Sequence, residues 1–500
     1  MPHDPDAIPV IVGVGELADR AADPAEVREP AGLMHAALLR AEADAGAALL
    51  DRLDRLSIIN EISWPYADPV GVLCDRLRHR PAHAAYGRVG GETPVAAIHA
   101  AAQAIARGEA RVAAVCGAES EHAVRRAAAS GVALPWSPRD PDFRLVRASE
   151  SQRPQARMLG LAQPTNVYPL YENAWRAARG ESGEAGRRRN AALWSRFSQV
   201  AAGRAEAWLR RPHDAAEIAT PTAANRLIAW PYTKLMVANP LVNQGAAIVL
   251  VSLAEARRRG IPASRCVRVL GGAAAAEPDD LMARDGFAAV PAMQAVLDAA
   301  PAVLPRGVDG FDAVELYSCF PCVPAIAAAH LGLPDDATPT LAGGLTFFGA
   351  PLNNYMAHAA VAMVERLRAG GARTGLLYGQ GGYATKHHAL VLAAGETDAP
   401  PPDGAHDVQA DADRRRGAVP AFAETHDGEA VLETYTVLYD RDGAPRHGVV
   451  VARPTPGTRI VARSVASDDI AALASLGDSP VGRRGVVRAA ADGVMDWTFV

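Results

Sequence analysis

The chain has 500 residues, of which 49% are hydrophobic and 21% charged, and its formal net charge is −5. At roughly 100–200 residues per domain, this length predicts two or three domains. The near-neutral charge excludes a strongly basic surface, so neither nucleic acid nor an acidic membrane is an expected partner. Only two of the 51 basic residues are lysines, Lys234 and Lys386. Arginine can replace lysine wherever only a solvated positive charge is needed. The two lysines are therefore present either by chance or because a functional site requires lysine.

The cysteines and the first residues bear on location. Cys319 and Cys322 are the one close pair among five cysteines, and no second pair completes a zinc site. Residues 1–5 show no basic region followed by an apolar stretch, so no signal peptide is expected. Apolar runs such as 246–253 are far below the roughly 20 residues of a membrane span. A reduced, cytoplasmic location without a bound metal is predicted.

The first part of the chain alternates apolar runs with helical patterns. Runs over 8–14 and 56–60 predict buried strands, and the spacing over 31–48 predicts a helix between them. Such alternation is typical of an α/β fold with helices over a sheet. The sequence Gly-Gly-Glu-Thr-Pro at 90–94 then leads into a predicted helix over 95–107 and a strand over 112–117.

The region over 121–230 differs in composition. It contains several prolines and clustered arginines, such as Arg187 to Arg189, and two predicted helices over 168–179 and 184–200. This composition predicts a large polar insertion outside the core, with the arginine cluster either a solvated helix face or a phosphate contact. Core character returns with a predicted strand over 248–252.

A second unit repeats the first. Gly343 and Gly344 precede a predicted helix over 355–368, and a strand over 374–378 follows it. His-Ala-Ala occurs in both predicted helices, beginning at His99 and at His358. The repeat indicates two similar α/β halves, although alanine bias alone also produces part of it.

The last part of the chain is predicted to be a separate β domain. Residues 396–418 are rich in Asp, Pro, Gly and Arg and are predicted to be a linker. Beyond residue 419, β-branched runs predict strands over 430–439, 446–453, 458–463 and 484–489. A turn at Asp440-Arg441-Asp442-Gly443 divides the first two strands.

Several segments resemble motifs of the thiolase superfamily. Residues 90–117 are similar to the thiolase segment that bears the nucleophilic cysteine, and Glu-Leu-Tyr-Ser-Cys-Phe at 315–320 resembles the Glu-Leu-His-Asp-Cys-Phe of sterol-carrier-type thiolases. Residues 343–352 resemble the Gly-Gly to Gly-His-Pro-Leu segment of the same thiolases, and Gly-Gln-Gly-Gly at 379–382 matches their closing glycine loop. The resemblance covers about residues 8–395, and the added β domain is similar to that of thiolase-like proteins type 1.

The resemblance implies a duplicated α/β fold. Two αβα halves would stack as αβαβα layers, with a helical loop insertion in the first half and a small OB-like β domain added at the C-terminus. The implied divisions are a first half over 1–255 with its insertion over 121–230, a second half over 256–395, a linker over 396–418 and a β domain over 419–500.

The resemblance also shows which catalytic side chains are missing. Thiolases use a nucleophilic cysteine, two histidines and a second cysteine that moves the substrate proton. Gly91 takes the place of the nucleophile, and Tyr317 and Ala350 take the places of the histidines. Cys319 alone matches a catalytic position, that of the acid/base cysteine. An acyl-enzyme on residue 91 is therefore excluded, while the backbone N–H groups of Gly91 and Gly381 match thioester-oxygen donors.

Other polar residues are candidates for the same pocket. With Cys319 and Tyr317, His387 is a candidate catalytic residue. Candidate substrate-binding residues are Asn353, Asn354, Tyr355, His358, Lys386 and Lys234. Each also has an ordinary structural interpretation: a small buried side chain for Cys319, a core tyrosine, a helix cap for the asparagines, a core histidine for His358 and a plain loop for residues 386–388.

Two classes of function follow. The first is an acetyl-CoA acetyltransferase-like enzyme of lipid metabolism, which forms or cleaves a carbon–carbon bond in an acyl-CoA without the usual acyl-enzyme. A retro-aldol lyase with Tyr317 or Tyr355 as the base belongs to the same class. The second is a non-catalytic protein that binds acyl-CoA or serves as a scaffold. A coenzyme A thioester is the implied ligand, no covalent cofactor is implied, and both a homodimer and a monomer stay open.

Overall fold

The computed structural model describes residues 4–145, 148–304, 308–395 and 405–500. The strands are β1 Pro9–Ala18, β2 Arg55–Ile58, β3 His83–Tyr86, β4 Val112–Ser120, β5 Leu227–Ala229, β6 Tyr232–Thr233, β7 Asn243–Ser252, β8 Val267–Ala276, β9 Ala313–Leu316, β10 Thr374–Gly381, β11 Lys386–Ala394, β12 Ala405–Asp407, β13 Ala421–Phe422, β14 Gly428–Tyr439, β15 Pro445–Thr455, β16 Thr458–Ser464, β17 Arg484–Ala489 and β18 Met495–Phe499. The helices are α1 Pro30–Ala45, α2 Pro69–Leu77, α3 Thr93–Ala106, α4 Glu121–Ser130, α5 Pro154–Met158, α6 Pro164–Ala178, α7 Gly183–Ala202, α8 Ala215–Ala219, α9 Leu253–Arg258, α10 Pro291–Ala299, α11 Cys322–His330, α12 Gly344–Phe347, α13 Tyr355–Arg368, α14 Gln409–Arg415 and α15 Ser467–Leu473.

The main sheet is built twice from the same pattern. Its strand order is β3-β2-β4-β7-β1-β8-β11-β10-β9, with β12 beside β8. In each half, the strand after the buried helix, β4 or β10, has a parallel neighbour on one side and an antiparallel one on the other. The two halves join where Val10 and Ile11 pair with Arg268 and Val267. The duplicated α/β fold is confirmed.

Helices α3 and α13 form the layer at the centre of the molecule. They pack against each other and against strands of both halves. Ten consecutive residues of α13, 355–364, are buried, as expected for a helix covered on all sides. Pro94 lies in the first turn of α3, where its missing N–H costs no hydrogen bond. The first turns of both helices therefore meet in the interior.

The prediction that the insertion is polar and lies outside the core is wrong. Leu170 and Tyr171 of α6, with Trp194 and Phe197 of α7, are buried in the same hydrophobic cluster as α3 and α13. Helical spacing puts these side chains on inward faces. One arginine, Arg176, is buried as well and donates to the Tyr435 hydroxyl at 2.8 Å. The insertion is thus part of the wall around the centre.

A closed barrel forms the last part of the chain. Strands β14, β15, β16, β18 and β17 pair in a ring that returns to β14. Tyr435 and Trp497 are buried in its own small cluster. Closure satisfies the strand edges, and the predicted β domain is confirmed. Helix α15 and strand β18 were not predicted.

The segment predicted as a linker contains β12 and α14. Strand β12 pairs in parallel with β8, and Gln409 Nε2 donates to the Ala276 carbonyl at 2.9 Å. Ala412 is buried against the main core. These contacts, rather than composition, hold residues 405–416 to the second half. The domain limits at residues 255, 395 and 418 stay predictions.

Within the part of the chain that the structure describes, helices that could reach across a lipid bilayer are absent, because none combines the necessary length with a sufficiently apolar sequence.

Candidate active site

Gly91 lies in the turn before α3, and its side-chain space is already filled. A Cβ at residue 91 would collide with the hydroxyl and ring of Tyr317 and would lie 2.6 Å from the Gln380 carbonyl oxygen. Tyr317 is held there because its backbone N–H donates to the Tyr378 carbonyl at 2.9 Å. Residue 91 therefore accommodates glycine and no nucleophilic side chain. Among the described residues, the Gly91 N–H has no hydrogen-bond acceptor.

Tyr317 places a second donor beside that N–H. Its side chain is 7% exposed, and its hydroxyl forms no hydrogen bond within the described residues. Burial, the Cys319 thiol and Glu92 hold the pKa of Tyr317 well above its ordinary value. The phenol is therefore protonated at neutral pH and is a hydrogen-bond donor rather than a base.

Cys319 lies two residues after Tyr317 and is also buried. Gln380 Nε2 donates to its Sγ at 3.3 Å and to the Tyr168 hydroxyl at 2.7 Å. Tyr168 in turn stacks on Phe320, with ring centroids 4.5 Å apart. Burial raises the pKa of Cys319 to about 12, so this side chain is a neutral thiol that can give a proton. A resting thiolate nucleophile is not supported by this environment.

Asn353 and Asn354 hold the glycine turn and β4 in place. Asn353 Oδ1 accepts from the Gly90 N–H at 3.0 Å, and its Nδ2 donates to the Asn60 carbonyl at 2.9 Å. Asn354 Nδ2 donates to the Gly117 carbonyl at 2.7 Å. Although Asn354 precedes α13, it makes no side-chain cap, so the helix-cap interpretation is wrong for it. Asn353 therefore positions the backbone next to Gly91, and Asn354 fixes the segment before α13 to β4.

Tyr355 and His358 belong to buried networks beneath the turn. The Tyr355 hydroxyl donates to Glu315 Oε1 at 2.8 Å and accepts from the Gly344 N–H at 3.0 Å. His358 Nδ1 is 2.7 Å from Glu16 Oε2. These partners occupy the Tyr355 hydroxyl and the His358 Nδ1. A direct contact of either side chain with substrate stays a prediction.

Residues 386–388 begin strand β11, so their interpretation as a loop is wrong. Lys386 pairs with Gly381 on one side and with Ala276 on the other, and this ladder overrides the polar sequence. His387 Nδ1 lies 2.6 Å from the Tyr378 hydroxyl and Nε2 lies 3.1 Å from the Ala384 carbonyl. Burial lowers the pKa of His387 to about 3, so the ring is neutral with both nitrogens occupied. That environment does not support a proton shuttle at His387.

The two lysines have different surroundings. Lys386 is half-buried and lines a cavity of about 410 Å³ with Arg88, Glu92, His99 and His388. Lys234 is exposed in a short turn over residues 234–236, where its backbone N–H donates to the Arg226 carbonyl at 2.9 Å. The structure therefore brings Lys386, and not the Lys234 side chain, next to the glycine turn.

Sequence reasoning missed Glu92. This side chain is 1% exposed and forms an ion pair of 2.6 Å with Arg88. Its carboxylate fills the side-chain space of Gly90 and Gly381. Burial raises its pKa, while Arg88 and then Lys386 act in the opposite direction. The sequence does show an acidic residue in a glycine turn just before a helix. Acidic residues are common at helix N-termini, where they interact favourably with the helix dipole, so this position did not indicate a buried carboxylate.

Comparison with known proteins agrees with this architecture. A family model described as the thiolase-like protein type 1 additional C-terminal domain matches residues 407–493. The chain is also similar to a monomeric SCP2-thiolase like protein type 1 from Mycobacterium smegmatis, with 29% identity, a TM-score of 0.83 and 100% of both chains covered. The resemblance to thiolase-like proteins type 1 is confirmed.

Two further solved structures share the fold at lower identity. One is human mitochondrial 3-ketoacyl-CoA thiolase in complex with CoA, at 15% identity and a TM-score of 0.53, covering 79% of this chain and 100% of that one. The other is the Ltp2-ChsH2(DUF35) aldolase, at 18% identity and a TM-score of 0.58, covering 78% and 99%. The chain matches none of the curated proteins with which it was compared. At these identities the likeness extends to the fold.

Proposed function

We propose that this chain forms or cleaves a carbon–carbon bond of an acyl thioester through an enolate, without an acyl-enzyme at residue 91. The observation that supports this proposal is the filled side-chain space of Gly91 beside an N–H that has no acceptor among the described residues. Acyl transfer needs a nucleophile at the carbonyl carbon, whereas enolate chemistry needs only donors for the oxygen and a group that moves a proton.

The roles follow from the protonation states. The Gly91 N–H and the neutral Tyr317 phenol would hold the thioester oxygen as it becomes negative. The Cys319 thiol would give its proton to the carbon next to the thioester carbonyl. The Tyr317 phenol is protonated, and the Tyr355 hydroxyl already donates to Glu315. The geometry therefore favours an aldol-type cleavage in which neither tyrosine is the base.

A second cavity supports a coenzyme A thioester as the ligand. About 450 Å³ lie between α7 and α11, and α11 begins three residues after Cys319. Arg188, Arg189 and Arg196 line this cavity together with the ring of Trp175. Arg189 is already paired with Glu172 and Glu181, at 2.8 and 3.2 Å. Guanidinium groups bind phosphates in a bidentate manner, so we propose that Arg188 and Arg196 contact the nucleotide end of coenzyme A. Among the described residues no two cysteines form a disulfide, which fits the proposed reducing cytoplasm.

Substitution of Cys319 separates an enzyme from a binding protein. We expect the wild type to bind acyl-CoA in calorimetry and to show no acyl adduct by intact mass. C319A should lower carbon–carbon bond turnover by about 100-fold or more while retaining binding, because it removes the proton donor. The matched control is C266A, which removes another buried cysteine that is not in a disulfide.

Other results for turnover and binding distinguish the remaining possibilities. Unchanged turnover in C319A rejects the cysteine role. Binding without turnover of any thioester supports the acyl-CoA-binding alternative. Absence of binding to every thioester contradicts both functions.

A further inference from the structure

The buried carboxylate of Glu92 has no role in the scheme above. Apart from the Arg88 ion pair, neither carboxylate oxygen accepts a hydrogen bond from the described residues. A side chain that is 1% exposed and so weakly solvated by protein groups is costly to keep in a core. The unfavourable free energy of burying this carboxylate arises at the turn that contains Gly91.

Glu92 shares space with the proposed oxyanion donor. A Cβ built on Gly381 would overlap Glu92 Oε2 and would lie 3.0 Å from the Gly91 nitrogen. The carboxylate and the Gly91 N–H thus face one small region at the end of β10. A permanent negative charge there would oppose an enolate oxygen at the same donor. The arrangement suits an enolate only if Glu92 becomes neutral when the enolate forms.

The other titratable groups around the turn are poor bases. Cys319 and Tyr317 are held in their protonated forms by burial. His387 has both ring nitrogens occupied by Tyr378 and Ala384. His388 Nε2 lies 2.9 Å from His99 Nδ1. Among the described groups that face the turn, the Glu92 carboxylate is the remaining candidate base, and burial raises its pKa above the ordinary value.

The cavity behind Glu92 connects it to solvent. The Arg88 side chain is 56% exposed in it, and Lys386, His99 and His388 line the same space. These groups, with Tyr317 and Tyr378 on the inner side, are the charged and titratable neighbours of Glu92. A proton taken up inside can therefore leave through the cavity.

We propose that Glu92 is the general base of the site, which takes the proton of a 3-hydroxyacyl thioester as its C2–C3 bond breaks. This inference rests on the proposed function. The hydroxyl O–H bond breaks and its proton moves to Glu92, the C3–O bond becomes a carbonyl, and the C2–C3 electron pair becomes the thioester enolate. Cys319 then protonates C2 and regains a proton from Glu92 through solvent.

This assignment removes the charge conflict. Before reaction the negative charge is on Glu92, and after bond cleavage it is on the enolate oxygen at the Gly91 N–H. The two charges do not coexist, because the proton that neutralises Glu92 leaves the substrate in the same step. Arg88 and Lys386 favour the ionised form of Glu92 against the effect of burial, which raises its pKa.

The test compares wild type with E92Q, using 3-hydroxy-3-methylbutyryl-CoA and longer 3-hydroxyacyl-CoAs as probes. Acetyl-CoA formation should fall by about 100-fold or more in E92Q, while affinity for acetyl-CoA stays within about threefold. Deuterium uptake at C2 of acetyl-CoA shows whether the wild type forms the enolate, and it should slow in E92Q as well, because the Cys319 thiol exchanges its proton with Glu92. E433Q is the control, because it alters a carboxylate paired with the buried Arg459 in the distant barrel.

A pH profile adds a readout that a structural role would not move. Wild-type kcat/KM should fall as pH drops through the pKa of Glu92, and this limb should be absent in E92Q. K386M should move the limb to higher pH, because loss of a nearby positive charge raises the pKa of Glu92; K234M should leave it in place.

The two proposals fail in different ways. Cleavage by E92Q within about threefold of wild type, or an acid limb unchanged in E92Q or K386M, overturns the base assignment alone. A wild type that neither exchanges deuterium nor cleaves any probe overturns the proposed function, and with it this role for Glu92.

Discussion

At the scale of single residues, Tyr317 fills the space that a side chain at residue 91 would occupy, so each residue restricts what the other can be. The tyrosine hydroxyl and ring occupy the volume that any side chain at residue 91 would need, and the Gln380 carbonyl closes the remaining side. Neither neighbour yields easily, since one is a ring packed against Tyr355 at 6.2 Å and the other is strand backbone. The glycine is therefore a steric requirement of this site.

Substitution of Gly91 should reveal this requirement. We expect G91A to lower the free energy of unfolding by roughly 1–3 kcal/mol, because the added methyl group forces the Tyr317 ring or the strand to move. Thermal melting with far-UV circular dichroism measures the loss. G286A is the matched control, because a Cβ at residue 286 meets no atom within 4 Å. Equal melting temperatures for the two variants would contradict the steric account.

Part of the site was predictable from sequence because it is carried by local motifs. Gly91, Tyr317 and Cys319 were found in short segments whose residue order indicates a role. The burial of Glu92 was not, since it depends on β10 and Arg88 closing around one side chain. The occupied nitrogens of His387 likewise depend on contacts across two strands. A sequence indicates which side chains are present and leaves their hydrogen-bond partners open.

At the scale of elements, two buried carboxylates lie where β2 and β4 end. Glu119 accepts from the N–H groups of Ile62 and Ser63 at 2.9 and 2.8 Å. Glu61 is close to the Tyr86 hydroxyl, which donates to its backbone carbonyl at 3.0 Å. Burial raises the pKa of Glu61 to about 7, and burial with the neighbouring Glu61 raises that of Glu119. Folding therefore disfavours the ionised forms of Glu61 and Glu119 at these strand ends.

This arrangement predicts a pH-dependent effect of E61Q. The folded pKa of Glu61 lies above the unfolded value, so the folded state binds more protons and its stability falls as pH rises from about 4.5 to 7. We expect E61Q to gain roughly 1–3 kcal/mol relative to wild type between pH 4.5 and 8. Melting temperatures of both proteins across this range measure the gain.

The control for this prediction is E184Q, which alters an exposed carboxylate in the first turn of α7. Its melting temperature should follow that of wild type at every pH. A difference between E61Q and wild type that stays constant with pH would contradict the raised pKa of Glu61.

Helices and strands were predicted correctly where the hydrophobic periodicity and the residues that begin or end an element indicated the same bounds. Helix α13 has the predicted bounds, because glycines flank a long apolar-periodic run. Strand β11 was not predicted. Its first residues, Lys386, His387 and His388, follow no strand-like pattern and are held by two neighbouring strands. The insertion was misjudged because its arginines outnumber the few large aromatic residues that decide its packing.

At the scale of the whole molecule, one face of the barrel joins the core of the α/β layers, while the barrel interior has a small cluster of its own. Val449 and Val451 of β15 lie in the same hydrophobic cluster as Leu170 of α6. Hydrogen bonds cross the same boundary: Thr434 Oγ1 donates to the Leu170 carbonyl at 2.6 Å, and Asn173 Nδ2 donates to the Tyr435 carbonyl at 2.8 Å. The boundary between the barrel and the α/β layers is therefore itself packed and hydrogen-bonded like a core.

A shared core predicts one cooperative unfolding transition. T434V removes a buried hydrogen bond across the boundary and should destabilise the chain by about 1–2 kcal/mol. Scanning calorimetry should show a single peak that moves to lower temperature as a whole. T498V, at an exposed position of β18, is the control and should leave the peak in place. A separate barrel transition that moves alone would contradict the shared core.

The filled space beside Gly91 also bears on how such a chain can evolve. A cysteine at residue 91 would be harmful while Tyr317 is present, and a smaller residue at 317 would open a void with no benefit of its own. Neither change is favoured first, so selection acting one mutation at a time does not lead to a nucleophile at residue 91. Covalent acyl transfer from residue 91 would therefore require substitutions at residues 91 and 317 together, whereas substrate preference can change through single substitutions in the surrounding cavities.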